Sequence, residues 1–227
     1  VCQDGFITSH SVENVMPLTN EQVQKFIGKK KFKGLITADK PFTMGPLDLQ
    51  DYYFEHKKQQ HEAMKKVFAV VEEVQNEYAK EFGRKYSVIE EYRTEDADTV
   101  IMGLNSVMGN VKTVVDSARE KGIKIGAVKP RFFRPFPVDY LRDLLPKFKA
   151  VVVLDRSDSF GAMPPLYSET LAALYGIENA PLIRGYIHGL GGRDTNLAMI
   201  ETVVDNLQKL KDTGEGNLTF EYLGVRE

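Results

Sequence analysis

Residues Val151–Gly161 read VVVLDRSDSFG. Four apolar residues, Val151 to Leu154, run directly into Asp155, Arg156, Ser157, Asp158 and Ser159, then Phe160 and Gly161. An unbroken apolar run of this length reads as a strand covered on both faces, the usual state in a parallel sheet under helices. In open α/β sheets, ligands and partners meet the carboxyl ends of such strands. This stretch therefore sets a charged, hydroxyl-rich loop on the edge where such folds keep their working surface.

The same alternation continues on both sides of it. Strands are expected at Thr99–Leu104, Lys124–Lys129, Ala150–Leu154 and Leu182–Ile187, with an edge strand at Leu218–Leu223. Helices are expected at Val111–Lys121, Phe136–Leu145, Pro165–Tyr175 and Thr195–Leu210, with Asn105–Asn110 as a turn. Strand and helix alternating at this spacing give a mostly parallel sheet with helices on both faces.

Upstream the pattern is less regular. Val1-Cys2-Gln3-Asp4-Gly5-Phe6 reads as the end of a buried strand, and Thr8, Ser9 and His10 would follow it at a sheet edge. The sequence is expected to be the C-terminal part of a longer polypeptide. Thr19 or Asn20 can cap a short helix that carries Val23, Phe26 and Ile27 on one face and stops at Gly28. Lys33 to Gln50 holds Pro41, Gly45 and Pro46, and reads as an irregular arm suited to an interface. From Asp51 to Phe82, Phe54, His61, Met64, Phe68, Val71, Val74, Tyr78 and Phe82 recur at helical spacing, and Gly83 ends one long helix. Three regions follow: 1–32, 33–95 and 96–227.

The 227 residues carry a formal charge of −2, with 42% hydrophobic and 27% charged residues. There is no basic excess for nucleic acid, and Lys29-Lys30-Lys31 with Lys33 reads as a solvated run. No apolar run approaches the roughly 20 residues of a membrane helix. The single cysteine, Cys2, makes no internal disulfide and no iron–sulfur or cysteine-based zinc site. It reads as a small buried hydrophobe, and a cytoplasmic location is the default. His10, His56, His61 and His188 lack metal-binding spacing, and His56 and His61 read as helix-surface or interface residues.

Four segments invite chemistry. His188-Gly189-Leu190-Gly191-Gly192-Arg193-Asp194 lies between strand and helix and resembles a phosphate cradle, although a tight turn with Asp194 or Thr195 capping the next helix accounts for it as well. Arg193 is the residue there able to pair with an anion. Arg131-Phe132-Phe133-Arg134-Pro135-Phe136-Pro137 mixes arginine and aromatic rings as interfaces do. Asp155, Ser157 and Asp158 offer oxygens to magnesium, but Arg156 between them favours a local ion-pair network or an interface. Thr8, Ser9 and His10 lack a third partner for a catalytic triad.

Six stretches, in order along the chain, carry a family resemblance: DGFITSHSVENV (4–15), MGPLDLQDYYFEHKKQQHEAM (44–64), EEYRTEDADTVIMGLNS (90–106), VKPRFFRPFPVDYLRDLL (128–145), VVVLDRSDSFGAMPPLY (151–167) and IHGLGGRD (187–194). The chain resembles the α subunit of 2-oxoacid:ferredoxin oxidoreductases, of which the pyruvate enzyme is best known. Met163-Pro164 departs from the smaller residues of that pattern.

The resemblance implies an oxidative cleavage of pyruvate or a related 2-oxoacid, oxalate among the relatives' substrates, with electrons passed to ferredoxin and coenzyme A as the usual acyl acceptor. It implies thiamine diphosphate with magnesium and [4Fe-4S] clusters, bound mainly by partner regions, in an enzyme of anaerobic metabolism. It implies β and γ/δ-type partners and a dimer of the core unit. It divides the chain into the end of a thiamine-fold domain (1–32), an arm and long connecting helix (33–95), and an α/β domain like the transketolase C-terminal domain (96–227). No catalytic residue is carried over. The expected working edge is Asp155, Arg156, Ser157, Asp158 and Ser159 with Gly191, Gly192 and Arg193, and the aromatic arm with Phe42, Tyr52, Tyr53 and Phe54 is expected to face partners. Two other readings remain. One is the equivalent domain of a transketolase or of a 2-oxoacid dehydrogenase E1 β protein; the other is a non-enzymatic flavodoxin-like module holding an anion at its glycine turn.

Overall fold

The computed structural model describes residues 5–12, 14–29, 45 and 47–226. Two compact units divide the chain, Ser9–Met64 and Lys65–Glu227, and Val1–Thr8 belong with the second. Cys2, Lys30, Lys31, Phe42 and most of the arm from Lys33 lie outside the described residues.

The expected strand end over Val1–Phe6 is corrected where the chain is described: Gly5–His10 is a short helix, α1. A strand needs a neighbour to complete its hydrogen-bond ladder, and among the described residues none pairs with this segment. A helical turn bonds within itself, so Thr8, Ser9 and His10 lie in a helix and not at a sheet edge. Asn20–Ile27 forms α2. Thr19 Oγ1 accepts from Gln22 N at 3.2 Å and Gln22 Oε1 from Thr19 N at 2.9 Å, a reciprocal cap. Gly28, at φ 70°, ends the helix.

The single long helix is also corrected. Two helices stand there, α3 (Tyr53–Met64) and α4 (Val67–Phe82), separated at Lys65-Lys66. Helices in proteins are held chiefly by packing of an apolar face. None of the residues of α3 is buried, whereas Phe68 and Val71 of α4 pack on the core of the sheet unit. Nothing in α3 enforces continuity across the two lysines. Tyr52, Tyr53 and Phe54 are exposed, as expected of the arm's aromatic end.

Six strands make the sheet: β1 (Ile89–Tyr92), β2 (Thr99–Gly103), β3 (Ile125–Pro130), β4 (Ala150–Asp155), β5 (Leu182–Ile187) and β6 (Thr219–Tyr222), ordered β1-β3-β2-β4-β5-β6. Only β1 runs antiparallel, on β3. Every residue of β2 and β4 is buried, which their unbroken apolar runs require. Helices α5 (Val107–Glu120) and α8 (Leu197–Thr213) cover one face, packing Val111, Val115, Val203 and Leu207 on Ile101, Val152 and Leu154. Helices α6 (Val138–Leu144) and α7 (Pro165–Leu174) cover the other, setting Leu141, Leu166 and Tyr167 on Val100, Val151 and Val153.

Three details depart from the sequence expectation. β1 is an added edge strand whose four residues show no clean alternation. α5 starts four residues early, because burial of Val107 and Met108 outweighs the roughly 1 kcal/mol helix cost of Gly109. Asn196, not Asp194 or Thr195, caps α8, its Oδ1 accepting from Met199 N at 3.0 Å.

Gly126 on β3 explains how closely β1 can approach. A Cβ there would lie 2.7 Å from the Arg93 carbonyl oxygen and 3.0 Å from that of Tyr92, and backbone cannot swing aside as a side chain can. Gly126→Ala is expected to destabilise the sheet unit by about 1–3 kcal/mol, read from the midpoint of urea unfolding.

Candidate functional site

The carboxyl ends of β4 and β5 lie side by side, with Asp155 registered against Ile187. Asp155 is buried. Its Oδ2 accepts from Leu166 N at 2.5 Å, and the Tyr167 amide also reaches the carboxylate. These are orphan N–H groups in the first turn of α7, where the preceding residue, Pro164, has no capping side chain. Burial pushes the Asp155 carboxyl above its ordinary range, and the two amides pull it part of the way back. The Asp155 carbonyl accepts from His188 N at 3.0 Å, continuing the ladder past β5.

Arg156 leaves β4 and crosses to the exit of β5, where Nε donates to the Gly189 carbonyl at 3.0 Å. Gly189, at φ 65°, sits under that guanidinium; a Cβ would lie 3.1 Å from Nε. His188 is buried between them and its Nδ1 lies 3.0 Å from Thr195 Oγ1. Burial first, and the Arg156 charge second, press the His188 imidazole down to about 4. The ring is therefore neutral at physiological pH.

Ser157 to Ala162 fold outward. Phe160 (φ 49°) and Gly161 (φ 85°) are both left-handed, flanked by a bridge between Ser159 and Ala162. That is the backbone of a two-residue hairpin turn, and its tip presents the Phe160 ring fully to the outside. Asp158 accepts a hydrogen bond from the Tyr222 hydroxyl at the end of β6, which raises the phenol's pKa. Asp155 and Asp158 thus turn to different elements, α7 and β6, and do not converge on a cation. Among the described residues no group of three or more His, Cys, Asp or Glu is placed to hold a metal.

The glycine segment forms a turn. Gly192 N donates to the Gly189 carbonyl and Arg193 N to the Leu190 carbonyl, both at 3.2 Å. Those amides are spent within the turn, and α8 starts at Leu197, well past Gly192, so no helix terminus faces a phosphate there. Arg193 donates to the Gly224 carbonyl at 2.8 Å, tying the turn to the segment after β6. Of the eight sequence-predicted residues, Asp155 and Arg156 meet the β5 exit through His188 and Gly189. Ser157 to Ser159 form the outward turn, and Gly191 to Arg193 its neighbour. The sequence places His188 at the head of the glycine segment, but its burial follows only from the strand pairing. Sequence reasoning missed the capping role of Asp155, whose partners lie eleven residues further on.

At the opposite side of the same edge, Arg131–Pro137 follows β3. Phe132, Phe133 and Phe136 pack partly into the core. Arg134 pairs with Glu169 at 2.6 Å and lies 4.3 Å over the Phe133 ring. A cleft of about 580 Å³ opens here, beside Leu104, Asn105 and Lys129.

Together these features define an open, mostly parallel α/β domain with its irregular loops gathered on the carboxyl edge. The match to known proteins is more particular. Residues 1–76 match the thiamine diphosphate-binding model of pyruvate flavodoxin/ferredoxin oxidoreductases, and residues 97–200 match core domain II of pyruvate:ferredoxin oxidoreductase. The chain belongs to the pyruvate:ferredoxin oxidoreductase family. Pyruvate synthase subunit PorA of Thermotoga maritima is 46% identical over 99% of this chain and 57% of its own length. PorA of Pyrococcus furiosus is 35% identical over 98% and 57%. Ketoisovalerate oxidoreductase subunit VorA of Pyrococcus horikoshii is 35% identical over 100% and 58%. The chain thus spans little more than half the length of these relatives.

His188 gives the site a measurable signature. The unfolded chain takes up a proton near pH 6.5 that the folded protein refuses until about pH 4. Stability from this group is therefore complete above pH 6.5 and lost as pH falls toward 4, a change of about 3 kcal/mol. His188→Gln is expected to show a loss smaller by about that amount between pH 7 and pH 4, in urea unfolding compared with the parent. The carboxylates titrate in both proteins and cancel in the comparison.

Proposed function

We propose that this chain is part of the α subunit of a thiamine diphosphate- and iron–sulfur-dependent 2-oxoacid:ferredoxin oxidoreductase, acting on pyruvate or a close 2-oxoacid. The observation that carries the reading is the pair of family models matching in series, 1–76 and then 97–200. The relatives named pyruvate synthase, aligned over nearly all of the chain, favour pyruvate. VorA at similar identity leaves a branched 2-oxoacid as the second candidate.

The residues present do not by themselves fit the cofactors. A [4Fe-4S] cluster takes four thiolates and this sequence has one cysteine. No described cluster of acids or histidines fits the magnesium that would hold a diphosphate. We therefore assign both groups to partner regions. On this reading residues 1–32 close a thiamine-fold domain, 33–95 connect, and 96–227 form the transketolase C-terminal-like domain. Tyr52, Tyr53 and Phe54 would meet the β and γ/δ-type partners or the second half of a dimer, in the cytoplasm. Asp155–Ser159 and Gly191–Arg193 would line the rim of the active-site entrance. Asp155 there is a positioning residue, since it holds the start of α7, and the exposed Phe160 ring is the contact it supports. Ferredoxin and coenzyme A would be substrates of the whole complex.

The complex that co-purifies with this chain is expected to contain iron and thiamine diphosphate in stoichiometric amounts and to reduce methyl viologen when given pyruvate and coenzyme A. Thiamine diphosphate without iron would move the chain to the dehydrogenase or transketolase reading. Neither cofactor would overturn an oxidoreductase altogether.

A further inference from the structure

β1 and β3 bring an unbalanced set of charges to the carboxyl edge. Glu90 of β1 stands opposite Lys129 of β3. Both of its carboxylate oxygens are already engaged: Lys112 of α5 pairs with Oε1 and Arg131 pairs with Oε2, the latter at 2.5 Å. Lys129 is left out. It is half-buried, and Glu90, held by Lys112 and Arg131, reaches it only through its field and not through a hydrogen bond or close ion pair. Burial lowers its pKa; Glu90 resists, while Arg131 and Lys112 push it further down. Lys112, Lys129 and Arg131 against Glu90 leave two positive charges uncompensated. Arg134 adds none, because Glu169 neutralises it.

Two of these three cations face open volume. Lys129 and Arg131 line the cleft of about 580 Å³, together with Leu104, Asn105, Phe132 and Phe133. One wall is cationic and another apolar and aromatic. Asn105 sits at the exit of β2 with φ 58°, a conformation few residues other than glycine hold without strain. The cleft opens on the carboxyl edge, where open α/β sheets receive ligands, next to the point between β2 and β4 at which the strand order reverses. A half-buried ammonium that shares one carboxylate with two other cations is under-compensated, and an incoming anion relieves that cost. A carboxylate supplies one charge; a phosphate monoester supplies −1.5 to −2 at pH 7, which matches the surplus.

We propose that this cleft binds a small phosphate monoester with an apolar or aromatic body, the phosphate held by Lys129 and Arg131 and the body against Phe132, Phe133 and Leu104. This site is separate from the loops of β4 and β5, and its test does not depend on which reaction the complex performs.

Phenyl phosphate serves as the probe, with the purified native complex. In reductive methylation followed by mass spectrometry, saturating phenyl phosphate is expected to slow labelling of Lys129 several-fold and to leave the exposed Lys121 and Lys124 unchanged. In calorimetric titration, Lys129→Gln is expected to weaken phenyl phosphate binding by about tenfold or more, with Lys129→Arg retaining most of it. Benzoate is expected to bind more weakly than phenyl phosphate. Equal Lys129 labelling with and without the probe, a Lys129 that the reagent never reaches, or binding indifferent to Lys129→Gln would each overturn the proposal. Benzoate binding as tightly as phenyl phosphate would overturn its assignment to a phosphate.

Discussion

Burial of β4 on both faces is the constraint from which the sheet unit follows. Ala150–Asp155 has every residue covered, so its peptide groups must all be bonded by neighbours, β2 on one side and β5 on the other. Helices must then cover both faces, and the connections between parallel strands must cross over. The chain can become polar only at the ends of the strand. It does so at Asp155, which is why one carboxylate both ends the strand and caps the helix that returns over it.

That economy shapes the rest of the edge. The charges that look most chemical in the sequence are spent on construction. Asp155 holds α7, Arg156 holds the exit of β5, Asp158 takes the Tyr222 hydroxyl, and Arg193 anchors the segment after β6. Their product is a rigid rim that carries Phe160 outward on a left-handed turn. A rim of that kind suits a domain proposed to assemble a complex and shape access to a centre formed elsewhere. The unspent charge lies on the far side of the edge, at Lys129, where an antiparallel strand added to β3 brings one carboxylate to three cations.

How much of this could be read beforehand depended on the range of the forces involved. Ala150–Leu154 was legible because a strand buried on both faces reads as an unbroken apolar run. The Thr19 cap and the Gly28 stop of α2 were legible because capping is local. β1 was not legible: an edge strand of four residues owes its existence to β3, thirty-odd positions away. The break between α3 and α4 was hidden because the apolar repeat continued through Lys65-Lys66, while only the second half had a core to pack against. The site was legible as a location, since loop polarity after an apolar strand marks the edge. It was not legible as a set of roles.

By itself, the sequence determined the class of sheet, the order of its parallel strands and helices, the loops that form the carboxyl edge, and the family resemblance that the comparisons bear out. These rest on periodicity and short-range chemistry, which a linear string displays. Tertiary structure alone decided that His188 is buried and neutral, that the Gly192 and Arg193 amides close the glycine turn on itself, and that Lys129 shares one carboxylate with two other cations. Each of those depends on which residues from distant positions arrive together, and on how much water their arrival removes.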